Sequence, residues 1–143
     1  MTHRSTLSIA AVLLFAPALA FSLERVAAPD DADVYFITPF ADEAFEGPVT
    51  VRMGLRGMGI APAGVEVEGT GHHHLLVNMP LEEVDLDTSL HFSDQTRHFG
   101  GGQTEGTLDL PAGTHTLQLL FMDYRHVSFD PPVVSEQITI TVR

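Results

Sequence analysis

The chain has 143 residues, with nineteen acidic side chains against seven basic ones, and a formal net charge of −12. Every basic residue is Arg, and so acidic a surface repels phosphate backbones and anionic lipids, which argues against nucleic acid and membrane partners. The chain contains no cysteine, which excludes disulfides and a lipidated N-terminal Cys, so its stability must come from a hydrophobic core.

The first twenty residues have the pattern of a secretory leader. Arg4 precedes an apolar run over 9–15, and small residues at Ala18 and Ala20 form a cleavage site. The apolar run is too short for a transmembrane helix, which needs roughly 20 apolar residues. We therefore predict a signal peptide over 1–20, a flexible lead-in over 21–33, one domain over 34–143, and a periplasmic or secreted location without a membrane span.

Short β-rich segments separated by Gly and Pro loops follow the leader. Alternation of apolar and polar residues predicts strands at 34–39, 48–57, 73–79, 104–110, 114–123 and 135–143, with a further short strand around 89–92. No amphipathic helix of useful length is present. This pattern predicts an all-β fold, an antiparallel β-sandwich of immunoglobulin or fibronectin-like type, with an open barrel as the alternative.

The period of two also predicts the core. The segments 73–79 and 114–123 should be adjacent and antiparallel, as strands C and F of an immunoglobulin-like sandwich are. Their inward-facing side chains are then Leu75, Val77, Leu117, Leu119 and Phe121.

All histidines after the leader lie between His72 and His126. In immunoglobulin lettering the B–C, D–E and F–G loops meet at one end of the sandwich. The triple histidine 72–74 follows the first of these loops, His98 lies in the second, and His126 lies in the third. His115 falls at the opposite end and shares the parity of the core residues, so we expect it to be structural.

Alternation divides the triple histidine between two faces. His73 shares its face with Leu75, whereas His72 and His74 point the other way, close enough together to bind one ion. Neutral imidazole is a ligand for Zn²⁺ and Cu²⁺, and the acidic field attracts cations. We therefore predict one copper or zinc ion as cofactor, held weakly at acid pH because protons compete between roughly pH 7 and pH 5.

The predicted metal ligands share this end of the sandwich, and they are His72, His74, His98, His126 and Asp123. His73 and Glu105 are candidates to orient those ligands. The alternative is a structural or protein-interaction module, with another periplasmic protein as partner, whose histidines brace loops.

The chain carries no recognisable catalytic motif. It has neither G-x-S-x-G nor cysteine, so no nucleophile is identifiable, and we expect no enzymatic activity. The glycines of 100–102 are not followed by a Lys or a helix, which excludes a phosphate-binding P-loop and favours a bulged entry to the next strand.

The motifs GHHHLL, HFGGGQTE and GTHTLQLL, followed by a D-x-x-H-V loop and D-P-P-V, carry a resemblance that runs over about residues 34–142. The chain resembles a family of small secreted bacterial domains of unknown function. The resemblance implies that the histidine-bearing loops are the marked features of the family. The family usually has a further His just ahead of D-P-P, where this chain has Phe129, so a ligand set that used that His would be one short here.

Overall fold

A computed structural model describes residues 23–143, and these residues form an all-β sandwich of two sheets. The predicted signal peptide over 1–20 lies outside the described residues. The helical structure of residues 23–143 is limited to one 3-10 turn, Leu81–Glu83. The strands are β1 (Asp33–Thr38), β2 (Ala44–Phe45), β3 (Val49–Arg56), β4 (Gly59–Ile60), β5 (Thr70–Val77), β6 (Thr96–His98), β7 (Glu105–Leu108), β8 (Gly113–Met122), β9 (Ser128–Val134) and β10 (Ile138–Val142).

The smaller sheet has three antiparallel strands in the order β1-β3-β7. The larger has seven, with β2-β10-β8-β5-β4 as its main path, β6 paired with β5, and β9 paired with β8. Its pairs are antiparallel except β2 with β10 and β4 with β5, which are parallel. The order across the centre of this sheet, β8-β5-β6, decides which side chains of these three strands can meet.

The main hydrophobic core lies between the two sheets. The small sheet contributes residues such as Val51, and the large sheet contributes the inward-facing side chains of β5 and β8. The predicted core residues Leu75, Val77, Leu117, Leu119 and Phe121 are all buried there. The pairing of β5 with β8, which places Leu75 opposite Leu119, confirms the predicted adjacency and antiparallel direction.

The outer face of the large sheet is also covered. A second hydrophobic cluster contains the buried side chains Leu76, Leu120, Met122 and Val84, packed against Leu81, Leu86 and Leu90. The irregular segment 80–95 lies over this face and contributes Val84, Leu81, Leu86 and Leu90. Both faces of β5 are therefore shielded from solvent, and the strand is buried from Gly71 onward.

Two sequence-based expectations about strand positions are wrong. Residues 89–92 form no strand; the short strand is instead β6, so His98 ends a strand rather than lying in a loop. Residues 128–134, which fall in the predicted loop between the strands 114–123 and 135–143, form β9, a strand along the β8 edge that contains Pro131 and Pro132. An edge position tolerates proline because its outward amides need no partner.

Residues 23–32, which we expected to form a flexible lead-in, are hydrogen bonded to the sandwich. The amide of Ala28 donates to the carbonyl of Asp130 at 2.9 Å, and the Asp130 amide donates to Val26 at 2.8 Å. The guanidinium of Arg25 donates to the Phe129 carbonyl. Among residues 23–143, no helix has the length and apolar character needed to cross a bilayer.

Candidate metal centre

The outer face of β5 carries the first two histidines of the cluster. His72 and His74 share this face because side chains two apart on a strand point the same way. His74 is paired across the strands with His98 of β6, which adds a third imidazole to the same face. His126, in the turn between β8 and β9, completes what we call the four-histidine cluster: His72, His74, His98 and His126.

The four imidazoles are in mutual contact. The ring centroids of His72 and His74 lie 4.7 Å apart, and those of His98 and His126 lie 4.9 Å apart. His72 also lies 5.1 Å from His98 and 4.9 Å from His126. The expected gathering of these four residues at one end is thus observed.

The ring nitrogens converge on one point. One nitrogen from each ring can be chosen so that all four lie within 4.8 Å of one another, so all lie within about 3 Å of a common centre. The Nε2 atoms of His98 and His126 are 3.2 Å apart. Four nitrogens arranged tetrahedrally at 2.0–2.1 Å from Zn²⁺ would be about 3.3 Å apart. The cluster therefore needs only a small contraction to reach the geometry of a metal centre.

His72 and His74 are fully buried, yet neither ring has a hydrogen-bond partner. Both are 0% exposed, and Nδ1 and Nε2 of each ring are unpaired. A buried polar group without a partner costs about 1–3 kcal/mol, so buried polar atoms are normally paired. A cation at the centre would take up one nitrogen of each ring.

The surroundings keep these imidazoles neutral, which is the form that binds metal. Burial, followed by the charges of His126 and His98, lowers the pKa of His72 to about 4. Burial and the neighbouring imidazoles hold the pKa of His74 well below its usual value. Burial and His126 also lower the pKa of His98. Each proton disfavours the next because the rings are close, so the cluster is poorly suited to bind protons and well suited to bind a metal.

Asp123 holds the turn that presents His126. Its Oδ1 accepts hydrogen bonds from the amides of Arg125 at 2.8 Å and Val127 at 3.0 Å, while Oδ2 accepts from the Arg125 guanidinium at 2.7 Å. The turn needs this support because His126 has a φ of 64°, a left-handed conformation uncommon outside glycine. The carboxylate we predicted as a ligand is thus engaged in positioning His126.

Gly100 makes room for the ring of His98. A Cβ atom on Gly100 would lie 2.0 Å from Cε1 of that imidazole, far inside van der Waals contact. At the neighbouring Gly101, by contrast, a Cβ would meet only the flexible side chain of Gln103, at 3.0 Å. The sequence indicated only a bulged entry to the next strand for glycines 100–102. In the structure, Gly100 allows the close approach of an imidazole to the backbone.

Phe92 is a member of the site that the sequence did not reveal. Its ring stacks on His98 with centroids 4.1 Å apart and an interplanar angle of 7°, and it lies 5.1 Å from the ring of His126. Phe92 is 53% exposed, so it covers the two half-buried histidines on the solvent side. An aromatic residue in an aperiodic segment carries no pattern that would have identified it.

The two residues predicted to orient the ligands lie elsewhere. His73 points into the core on the opposite face of β5, with its ring 5.2 Å from Phe121 and both nitrogens unpaired. Glu105 begins β7 in the small sheet, where its carboxylate is exposed and paired with Arg52 at 2.8 Å. Glu105 lies in the small sheet because its strand, β7, pairs with β3.

His115 lies apart from the cluster, as expected. Its Nε2 is 2.8 Å from the carbonyl oxygen of Pro111, and its Nδ1 is 3.0 Å from the side-chain Nδ2 of Asn78. Both ring nitrogens therefore have partners within the protein. The contrast with His72 and His74 separates a structural histidine from a candidate ligand.

Phe129 occupies the position at which the family that the chain resembles usually has a further His. It is 2% exposed and lies in the main core, its ring parallel to that of Phe121 at 6.1 Å. Position 129 thus faces the space between the sheets, away from the outer face that carries His72. The four-histidine cluster loses nothing by the replacement.

Comparison with known proteins assigns a family. The family model DUF4399, described as a domain of unknown function, matches residues 51–143. No curated protein matches the chain. Among solved structures, the endo-beta-1,4-mannanase from Thermotoga petrophila is similar, with 21% identity, a TM-score of 0.44, and coverage of 79% of this chain and 20% of that chain. The chain thus spans about a fifth of the length of that enzyme. The chain belongs to the DUF4399 family, and the matched range contains all four histidines of the cluster.

Proposed function

We propose that this DUF4399 protein is an exported, non-catalytic domain that binds one copper or zinc ion per chain through the four-histidine cluster. One observation carries the proposal: four imidazoles converge to within 4.8 Å while the buried rings of His72 and His74 have no other partner. Imidazole is a ligand for both metals. The export follows from the leader-like pattern of residues 1–20.

Binding is favoured over catalysis by the number of ligands. A catalytic zinc site has three protein ligands and keeps a fourth position for water or substrate, whereas a structural or carrier site has four. The cluster offers four imidazoles. Asp123 and Glu105, the carboxylates that could have served as a general base, are engaged with Arg125 and Arg52.

Titration calorimetry on the protein without its leader and without a polyhistidine tag tests the proposal. We expect heat corresponding to one Cu²⁺ or Zn²⁺ per chain at pH 7.5, and a higher melting temperature with metal. A ligand at about 100 times its dissociation constant adds roughly 2.7 kcal/mol of stability, which is about 10 °C for a domain of this size.

His91→Ala is the matched control, because His91 is exposed and does not belong to the cluster. It should bind metal as the unmodified protein does. The absence of binding heat with both ions would contradict metal binding. It would favour the alternative function, a module whose histidines brace loops for a protein partner.

A further inference from the structure

We infer that the thioether of Met122 is a further ligand of this centre and makes it select Cu(I) over Zn(II), an inference that rests on the proposed metal site. Met122 stands directly opposite His72 in the pairing of β5 with β8. Residues directly opposite in antiparallel strands point to the same face, with Cβ atoms about 4.5–5.5 Å apart. The sulfur of Met122 therefore extends from a position next to a candidate ligand.

The path of His126 brings the cluster over Met122. His126 leaves the end of β8, only four residues after Met122, yet its Nε2 lies 3.2 Å from that of His98 on β6. Because β5 lies between β8 and β6, the His126 ring must reach across the row that contains Met122 and His72. Its ring indeed lies 4.9 Å from that of His72. The rings of His72 and His126 thus both lie near the strand row that contains Met122.

Met122 is also buried where its sulfur has no contact with water. It is 0% exposed and lies in the outer-face hydrophobic cluster, whose other buried members, Leu76, Leu120 and Val84, are aliphatic. A leucine would fill the same place with similar volume. Leu120 stands opposite His74 in the same way, so Met122 is the sulfur-bearing one of the two buried residues of this set that are paired with a cluster histidine.

The chemistry of the donors then distinguishes the metals. Thioether and imidazole together suit Cu(I), whereas Zn²⁺ in proteins takes thiolate, imidazole and carboxylate. Because the chain has no cysteine, any sulfur bound to a metal here must come from methionine. Three of the imidazoles with one thioether are a four-coordinate donor set for Cu(I).

Affinities for Cu(I) and Zn(II) in the protein and in Met122→Leu test the inference. Both are measured by competition with chromophoric chelators, the Cu(I) series under anaerobic reduction. We expect Met122→Leu to weaken Cu(I) binding at least about tenfold and to change the Zn(II) dissociation constant less than about twofold. Met79→Leu is the matched control, because Met79 packs in the same outer-face cluster away from the paired position; it should change neither affinity.

X-ray absorption at the copper edge of the unmodified protein gives a readout that does not depend on the variant folding. A sulfur scatterer is expected with Cu(I), and its absence would overturn the role of Met122. If Met122→Leu weakened the binding of both metals equally, or of neither metal, the role of Met122 would likewise be overturned. The proposed metal site itself would not be contradicted by that result. Failure of the unmodified protein to bind either metal would instead overturn the proposed function itself.

Discussion

His115 and the four-histidine cluster lie at opposite ends of β8 and illustrate two uses of the same side chain. His115 has a partner for each ring nitrogen, Pro111 at one and Asn78 at the other. His72 and His74, although more deeply buried, have none. Burial alone therefore does not identify a structural histidine. Missing partners alone do not identify a ligand, because both ring nitrogens of His73 are unpaired although its ring packs against Phe121 in the core. A buried imidazole without partners, beside three others, has the properties of a ligand.

Removing the unpaired histidines should have the largest effect. His72→Ala combined with His74→Ala removes two of four ligands and should weaken metal binding more than about 100-fold, beyond the 10–100-fold typical of groups that merely support ligands. His115→Ala should leave the affinity nearly intact, although it removes a buried side chain. Calorimetry on folded protein, verified by circular dichroism, makes the comparison. An equal loss of metal affinity in the double variant and in His115→Ala would contradict the distinction between ligand and structural histidines.

Gly100→Ala tests whether the position of a single ring matters. The added methyl group would collide with His98, which must then move out of the cluster. We expect about a tenfold weaker affinity, comparable to the loss of a supporting contact at a metal site. Gly101→Ala is the control, because its methyl group meets only the side chain of Gln103. Indistinguishable affinities for the two variants would contradict the steric role of Gly100.

The pH dependence of stability follows from the lowered pKa values. The pKa values of His72 and His73 are about 4, whereas an unfolded histidine titrates near 6.5. As the pH falls from 6.5 to about 4, the unfolded chain takes up protons that the folded chain does not, so the stabilisation present above pH 6.5 is lost. Urea unfolding of metal-free protein should show a decrease on the order of a few kcal/mol across this window.

In the double variant His72→Ala with His74→Ala, this decrease in the free energy of unfolding should be smaller. An unchanged pH dependence in that variant would assign the decrease to other groups.

The same low pKa values shift to lower pH the range in which protons compete with the metal for the imidazoles. We expected affinity to fall between pH 7 and pH 5 from the ordinary pKa of about 6.5. With His72 at about 4, the fall should instead be centred below pH 5.

Phe92→Ala should have the smallest effect. The stacked contact with His98 orients that ring and shields it, and aromatic pairs contribute about 0.5–1.5 kcal/mol beyond their burial. The affinity for metal should therefore fall less than about tenfold, while Phe92→Tyr, which keeps the ring, should restore it. Chelator competition resolves a difference of this size. A loss as large as that of the double histidine variant would mean that Phe92 maintains the fold of the cluster.

The sequence predicted those parts of the molecule that follow from strand alternation. Alternation separated His72 and His74 from His73, and it identified Leu75 and Leu117 as core, because a strand has only two faces. The strand order of an immunoglobulin-like sandwich, together with this alternation, predicted the pairing of β5 with β8. The convergence of His98 and His126 on the same end followed from strand direction.

Features that depend on partners distant in sequence were missed. β9 carries two prolines and is a strand only because it lies along the edge of β8. Glu105 was expected near the histidines but pairs with Arg52, because the strand order of the small sheet cannot be read from local pattern. The contact of Phe92 with His98 depends on the course of an irregular segment, which has no period to read.

Elemental analysis of the protein, produced with its own leader and purified without an affinity tag, tests the central claim most directly. The account predicts about one copper or zinc ion per chain in the unmodified protein and in His115→Ala, and none in His72→Ala with His74→Ala. Metal-free protein from medium supplied with both ions, or the same metal content in all three, would contradict it.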